Sequence, residues 1–213
     1  MNTQWSDDYW LPLMQLYLKK PAGVKPMYSR PLVELSLELH IRPQYLYAQM
    51  FRLRKPDTPV LCRLWHCYGD KPQKLARAVK KQRLMRGFGN EKDFYSGVET
   101  NETFETDFKP LDNNSILTPA MLIMILDQYF RLTPATMVTE TPEVATLART
   151  LDISPELVTD VMKEFTTCDP CMKRTARKPG PLAGACREIW RRYGNEDPEQ
   201  LAATAAQLTA YFR

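Results

Sequence analysis

The sequence predicts an all-α fold made of two similar helical units, and three observations carry that prediction. Glycine is scarce, 8 among 213 residues, and alternating β-branched residues are nearly absent, whereas Leu, Ala, Met, Gln, Lys and Arg, good helix formers, abound. Apolar residues recur four apart before a break and a proline, as in Leu35, Leu39, Ile41 and Pro43. That is the pattern of a helix, a tight turn and a second helix with proline at its first position. The pattern returns without a gap 112 residues later as Leu147, Leu151, Ile153 and Pro155, with Met162 matching Met50.

The first helix is expected to start at Ser6 to Asp8, whose side chains can cap free amides and favour the positive helix end, and to run through Leu13, Leu16 and Tyr17 to Lys20. Pro21, Gly23 and Pro26 stop it. A second helix runs from about Pro31 to His40 with Leu32, Leu35 and Leu39 on one face, and a third from Pro43 to Arg54 with Leu46, Met50 and Leu53 inward. Thr58 and Pro59 cap and open a fourth, which carries Leu61, Leu64, Trp65 and Tyr68 and ends at Gly69. Pro72 opens a fifth that continues to about Met85.

The order then repeats. Thr118 and Pro119 open a helix with the apolar run Met121 to Leu126, and Tyr129 matches Tyr17. The helix, turn and helix recur over Val144 to Phe165, and Trp190, Tyr193 and Gly194 reproduce Trp65, Tyr68 and Gly69. Asp197, Pro198 and Glu199 open a last helix whose Leu201 and Ala202 match Leu75 and Ala76. The plan is a first unit over residues 1–88, a connector over 89–117 and a second unit over 118–213, the two units being duplicates. Phe94, Tyr95, Phe104 and Phe108 in the connector predict an irregular segment packed on the units rather than a flexible linker.

Charge is distributed unevenly along this plan. The net +4 divides into +10 for residues 1–89, −5 for 90–117 and −1 for 118–213. Met1 to Trp10 carries two acids and no base, unlike a signal peptide. The longest apolar run, Ala120 to Leu126, is far short of the roughly 20 residues of a spanning helix. A cytoplasmic protein without a membrane partner is expected, its cysteines Cys62, Cys67, Cys168, Cys171 and Cys186 free thiols.

Ser36, Leu39, Ile41 and Leu46, and again Ala148, Leu151, Ile153 and Val158, fill the pattern of the helix-turn-helix of DNA-binding regulators: a small residue inside the first helix, a leucine before the turn, an apolar residue after it and an apolar anchor in the next helix. About 22 residues per unit resemble that family. The glycine usual at the turn is replaced by His40 and Asp152, residue types that tolerate positive φ better than most. The resemblance implies a trihelical fold and nucleic-acid binding, though such units also serve as protein-binding modules. As a whole the chain is similar to uncharacterised proteins of Bacteroidetes, which implies no activity.

On this resemblance the third helix is a recognition helix with Arg42, Gln44, Tyr45, Tyr47, Gln49 and Arg52 outward, continuing into Arg54 and Lys55; Gln and Arg pair with adenine and guanine edges in the major groove. Its counterpart presents Ser154, Glu156, Thr159, Asp160, Lys163 and Glu164, which would set three carboxylates against phosphates. The fifth helix carries Lys71, Lys74, Arg77, Lys80, Lys81, Arg83 and Arg86 with no acid, and Lys74, Arg77 and Lys81 share one face while Leu75 and Val79 point inward. That stripe matches a line of phosphates; it also suits a solvated face or a dock for the acidic connector. Lys173, Arg174, Arg177 and Lys178 form a basic loop that can touch a nucleic-acid backbone or remain a surface loop.

Other chemistry finds little support. Cys168 and Cys171 have zinc-knuckle and redox spacing, but only Cys186 offers a third ligand in that unit, and no α/β pattern surrounds them. His40 and His66 have no nucleophile and orienting acid at recognisable spacing, and no Gly-rich phosphate loop is present. No enzyme, metal or cofactor is expected. Trp65, Tyr68, Trp190 and Tyr193 read as core anchors facing Tyr17 and Tyr129 rather than as base-stacking platforms. The sequence favours a binder of nucleic acid, duplex DNA first; the alternative is a protein-interaction adaptor, distinguished by binding that salt hardly changes.

Overall fold

The computed structural model describes residues 5–85, 88, 103–172 and 180–213. Arg86, residues 89–102 with Phe94 and Tyr95, and the basic loop Lys173, Arg174, Arg177 and Lys178 lie outside the described residues. The chain is all-α: among the described residues there is no strand, only an isolated bridge between Leu111 and Asn114. It divides into two compact units, Met1–Glu102 and Thr103–Arg213. Residues 103–117, placed in the connector by the sequence, belong to the second unit because their side chains are anchored there. Asp107 takes both arms of Arg192 at 2.7 and 2.8 Å, and the Phe108 ring lies 4.9 Å from that of Tyr211.

In the first unit a single 3-10 turn, Asp7–Tyr9, capped by Ser6, leads into α1, Trp10–Leu18. α1 is the hub, packed on α2 (Arg30–Leu39), α3 (Pro43–Arg52) and α5 (Pro72–Arg83). Trp10, Leu13, Met14 and Leu16 on α1 are buried against Leu32, Leu35 and Leu39 of α2, Leu46 and Met50 of α3 and Leu75 and Val79 of α5. Each such aliphatic side chain, fully removed from water, stabilises the fold by about 1.5–3 kcal/mol. The loop between α1 and α2 is tied down by Lys25, whose Nζ donates to the carbonyls of Lys19, at 2.6 Å, and Pro21.

α2 ends as its sequence requires. His40 takes the left-handed conformation, φ 54° and ψ 35°, and the Ile41 amide donates back to the Ser36 carbonyl at 3.1 Å, closing a Schellman-type turn. Ser36 is buried, and its hydroxyl donates to the Ile41 carbonyl, so the small residue inside the helix fastens the turn from within. α4 (Pro59–Tyr68) is capped by Thr58, which accepts from the Leu61 amide at 3.4 Å.

The second unit begins with the short α6, Thr103–Thr106. Its centre is α7, Pro119–Arg131, which buries Ala120, Leu122, Ile123, Met124, Ile125, Leu126 and Tyr129. Four helices surround it: α8 (Pro142–Leu151), α9 (Pro155–Cys168), α10 (Ala183–Tyr193) and α11 (Pro198–Phe212). α8 ends at Asp152 with φ 56° and ψ 44°, and the Ile153 amide donates to Ala148 at 3.0 Å. His40 and Asp152 are the non-glycine residues with positive φ among the described residues. Ser154 caps α9 through the Leu157 amide and Asp197 caps α11 through the Glu199 amide.

The tryptophans are held alike in both units. The Trp65 ring meets Tyr17 edge-on at 6.0 Å, and the Trp190 ring meets Tyr129 edge-on at 6.0 Å. Gly69 and Gly194 follow these helices with φ of −51° and −69°, so neither is the left-handed cap that a helix-ending glycine suggests. The tryptophan four residues earlier explains each glycine: a Cβ on Gly69 would stand 2.8 Å from Trp65 ring carbon Cε3, and one on Gly194 2.7 Å from Trp190 Cδ2.

Candidate nucleic-acid interface

α5 places its cations by burying its other face. Leu75 and Val79 are buried, and Gln82, also buried, donates Nε2 to the Asp8 carbonyl at 2.6 Å, so the helix cannot roll about its axis. Lys74, Arg77, Lys80 and Lys81 are left exposed on a helix with no carboxylate of its own. Among the described residues no ion pair engages these four; the Lys74 ammonium lies 5.1 Å above the Tyr68 ring of α4. Arg83 is withdrawn from the stripe. Its guanidinium forks onto Glu38 of α2 at 2.6 and 2.7 Å, the bidentate geometry that best matches a carboxylate.

α3 presents a different face from the one expected. Tyr45, Gln49 and Arg52 each immediately precede a core position, Leu46, Met50 and Leu53. A step of one residue is 100° on a helix, so these three flank the core stripe rather than oppose it. Tyr45 is half-buried with its ring 5.8 Å from Trp5. Gln49 accepts from Arg52 at 3.2 Å, and the Arg52 guanidinium lies 5.4 Å over the Trp10 ring and 3.5 Å from Asp57. Tyr47 is likewise half-buried. The exposed ridge is Gln44, Ala48 and Phe51, flanked by exposed Arg42 before the helix and by Arg54 and Lys55 after it. Gln44 donates Nε2 to the Tyr28 hydroxyl at 2.6 Å. Ala48 and Phe51 were not among the sequence candidates, although their spacing from Gln44, at i+4 and i+7, is the signal that would have found them.

The same correction applies to α9. Thr159 and Glu164, expected to face outward, are buried, and the Gly180 amide donates to Glu164 at 3.3 Å. Its exposed ridge is Glu156, Asp160 and Lys163, the last two paired at 2.9 Å.

The candidates do not form one packed cluster. α5 rests on α1 and α4, whereas α3 rests on α1 and α2. Between α1, α2 and α5 runs a groove of about 510 Å³ that includes Leu16, Leu35 and Leu75, with Lys19, Glu34, Glu38 and Arg83 among its charged lining residues. No sequence motif pointed to it, because its walls come from three helices.

The cysteines are all free. Cys186 is buried, and burial pushes its thiol up to about 12. Asp169, between Cys168 and Cys171, accepts from the Tyr129 hydroxyl at 2.8 Å and from the Cys171 amide at 2.8 Å. Burial and that carboxylate push the Tyr129 phenol well above its ordinary value. Among the described residues no group of three or more His, Cys, Asp or Glu is arranged to hold a metal ion, and no helix is long and apolar enough to cross a membrane. No family model, curated protein or solved structure matches the chain.

Proposed function

We propose that this chain binds nucleic acid, duplex DNA in particular, through its first unit, with α5 on phosphates and α3 in the major groove. The observation that carries the reading is α5 itself: exposed Lys74, Arg77, Lys80 and Lys81, no acid on the helix, and a buried opposite face that holds them in a row. A fixed line of cations matches a line of phosphates and releases condensed counterions when it binds. α3 supplies Gln44 and Arg42, with Lys55 beyond its end, and likewise carries no carboxylate. Tyr45, Gln49 and Arg52 support this surface from behind rather than reading bases. The acidic ridge of α9 leaves the second unit a stabilising or recruiting role. We also read the units as duplicates, on the strength of the matched left-handed turns at His40 and Asp152 and the matched tyrosine–tryptophan pairs. The five free thiols suit a reducing compartment such as the cytoplasm.

Fluorescence anisotropy of a labelled mixed-sequence duplex, titrated with the protein at several salt concentrations, tests this. Three phosphate contacts give a slope of about −2.7 in log K against log salt, an affinity loss of about 40-fold between 50 and 200 mM. The triple variant Lys74→Glu, Arg77→Glu, Lys81→Glu should abolish binding. No binding by the unaltered protein at low salt would refute the proposal and favour a protein-interaction adaptor, for which the groove between α1, α2 and α5 offers an apolar floor.

A further inference from the structure

Phe51 is the least expected residue on the exposed ridge of α3. It is 42% exposed, and its ring is braced edge-on by Tyr47 with centroids 5.0 Å apart and planes at 88°. Nothing in the fold requires an apolar side chain there: the residue 112 further on is Lys163, exposed at the same place on α9 and paired with Asp160. The first unit therefore holds an aromatic ring in water, in one orientation, where the second holds an ion pair.

The surroundings of the ring select its partner. Along the ridge Gln44 and Ala48 precede it, and no carboxylate stands anywhere on α3. Arg42 lies just before the helix and Arg54 and Lys55 just after it. A helix of this length spans about 15 Å, comparable to the roughly 12 Å width of the major groove. Cations at both ends and neutral, apolar side chains between them complement a groove with phosphate walls and a floor of base edges. The exposed apolar group on that floor is the C5 methyl of thymine, which Ala and Phe side chains contact.

Resting on the duplex-DNA reading above, we propose that Phe51, with Ala48 beside it, determines specificity by packing on thymine methyl groups in the major groove, so that the preferred sites contain A·T pairs. The test uses the full chain and an alternating A·T duplex, in which every register offers a methyl, beside the same duplex with deoxyuridine for thymidine. Anisotropy should show about fourfold weaker binding for each contacted methyl removed, the effect of one buried methylene-sized group. Phe51→Ala should bind the thymidine duplex more weakly and no longer distinguish the two duplexes. Lys81→Glu should weaken both equally and leave their ratio unchanged. Equal binding of the two duplexes by the unaltered protein, with steep salt dependence retained, would overturn the methyl contact while leaving DNA binding standing; absence of binding to either would overturn both. Concentration-dependent dimerisation abolished by Phe51→Ala would instead assign the ring to a contact between two copies of the chain and refute the proposal.

Discussion

Replacing Gly194 and Gly184 by alanine, one at a time, places the same methyl group just past the end of α10 and inside it, with opposite expected effects. At Gly194 the new Cβ would lie 2.7 Å from Cδ2 and Cε2 of Trp190 and 2.7 Å from the Trp190 carbonyl oxygen. Neither neighbour can yield easily. The indole is 8% exposed and packed among Tyr129, Phe130 and Phe165 at centroid distances of 6.0, 5.4 and 6.4 Å, and the carbonyl accepts the Gly194 amide at 2.6 Å. Overpacking a filled core costs about 1–3 kcal/mol, and the backbone-entropy gain of Gly→Ala returns about 0.4–1 kcal/mol. The expected net loss is about 0.5–2 kcal/mol. At Gly184, near the start of α10, a Cβ meets nothing within 4 Å, so only the gain remains and Gly184→Ala should be stabilising by up to about 1 kcal/mol. Urea unfolding followed by circular dichroism measures both through the shift in midpoint at constant slope. Finding Gly194→Ala as stable as Gly184→Ala would show that Trp190 moves freely and does not exclude a side chain from that position.

The ion pair of Arg192 with Asp107 should matter for stability and that of Lys163 with Asp160 should not. The first is bidentate with side chains 22% and 15% exposed, and its hydrogen bonds to Asp107 raise the guanidinium further above its ordinary range. Arg192→Ala strands Asp107 and should cost about 2–3 kcal/mol, whereas Lys163→Ala, at an exposed pair, should change urea stability by less than about 0.5 kcal/mol; equal effects would refute the distinction. The Cys186 thiol, raised from 9.0 to about 12 in the fold, keeps its proton there when an unfolded chain would lose it. Its contribution is therefore fully present below pH 9 and lost as the pH rises towards 12. Stability should fall through that window and fall less steeply in Cys186→Ala, and iodoacetamide should label exposed Cys62 and Cys171 well before Cys186; fast labelling of Cys186 in the native protein would contradict its burial.

The face of α5 was legible in the sequence because Leu75 and Val79 on one side and Lys74, Arg77 and Lys81 on the other already segregate on a helix with period 3.6. The face of α3 was not. Its polar residues occur both opposite the core stripe and beside it, and only the rings of Trp5 and Trp10, from a distant part of the chain, distinguish the inward-leaning Tyr45 and Arg52 from the exposed Gln44. Glu164 was misread for the same reason, since its partner Gly180 follows sixteen residues later.

What the sequence by itself determined is local. Prolines at the first turns, caps at Thr58, Thr118 and Asp197, and left-handed ends at His40 and Asp152 depend on side chains bonding their own or neighbouring backbone, within a few residues and a few ångströms. The tertiary structure alone decided what depends on contacts distant in sequence. The Arg83–Glu38 fork across α5 and α2, the seating of Tyr45 and Arg52 against Trp5 and Trp10, and the membership of residues 103–117 in the second unit each depend on which helix faces come together. Those faces are chosen by the joint burial of many apolar side chains, a global sum that no single stretch of sequence contains.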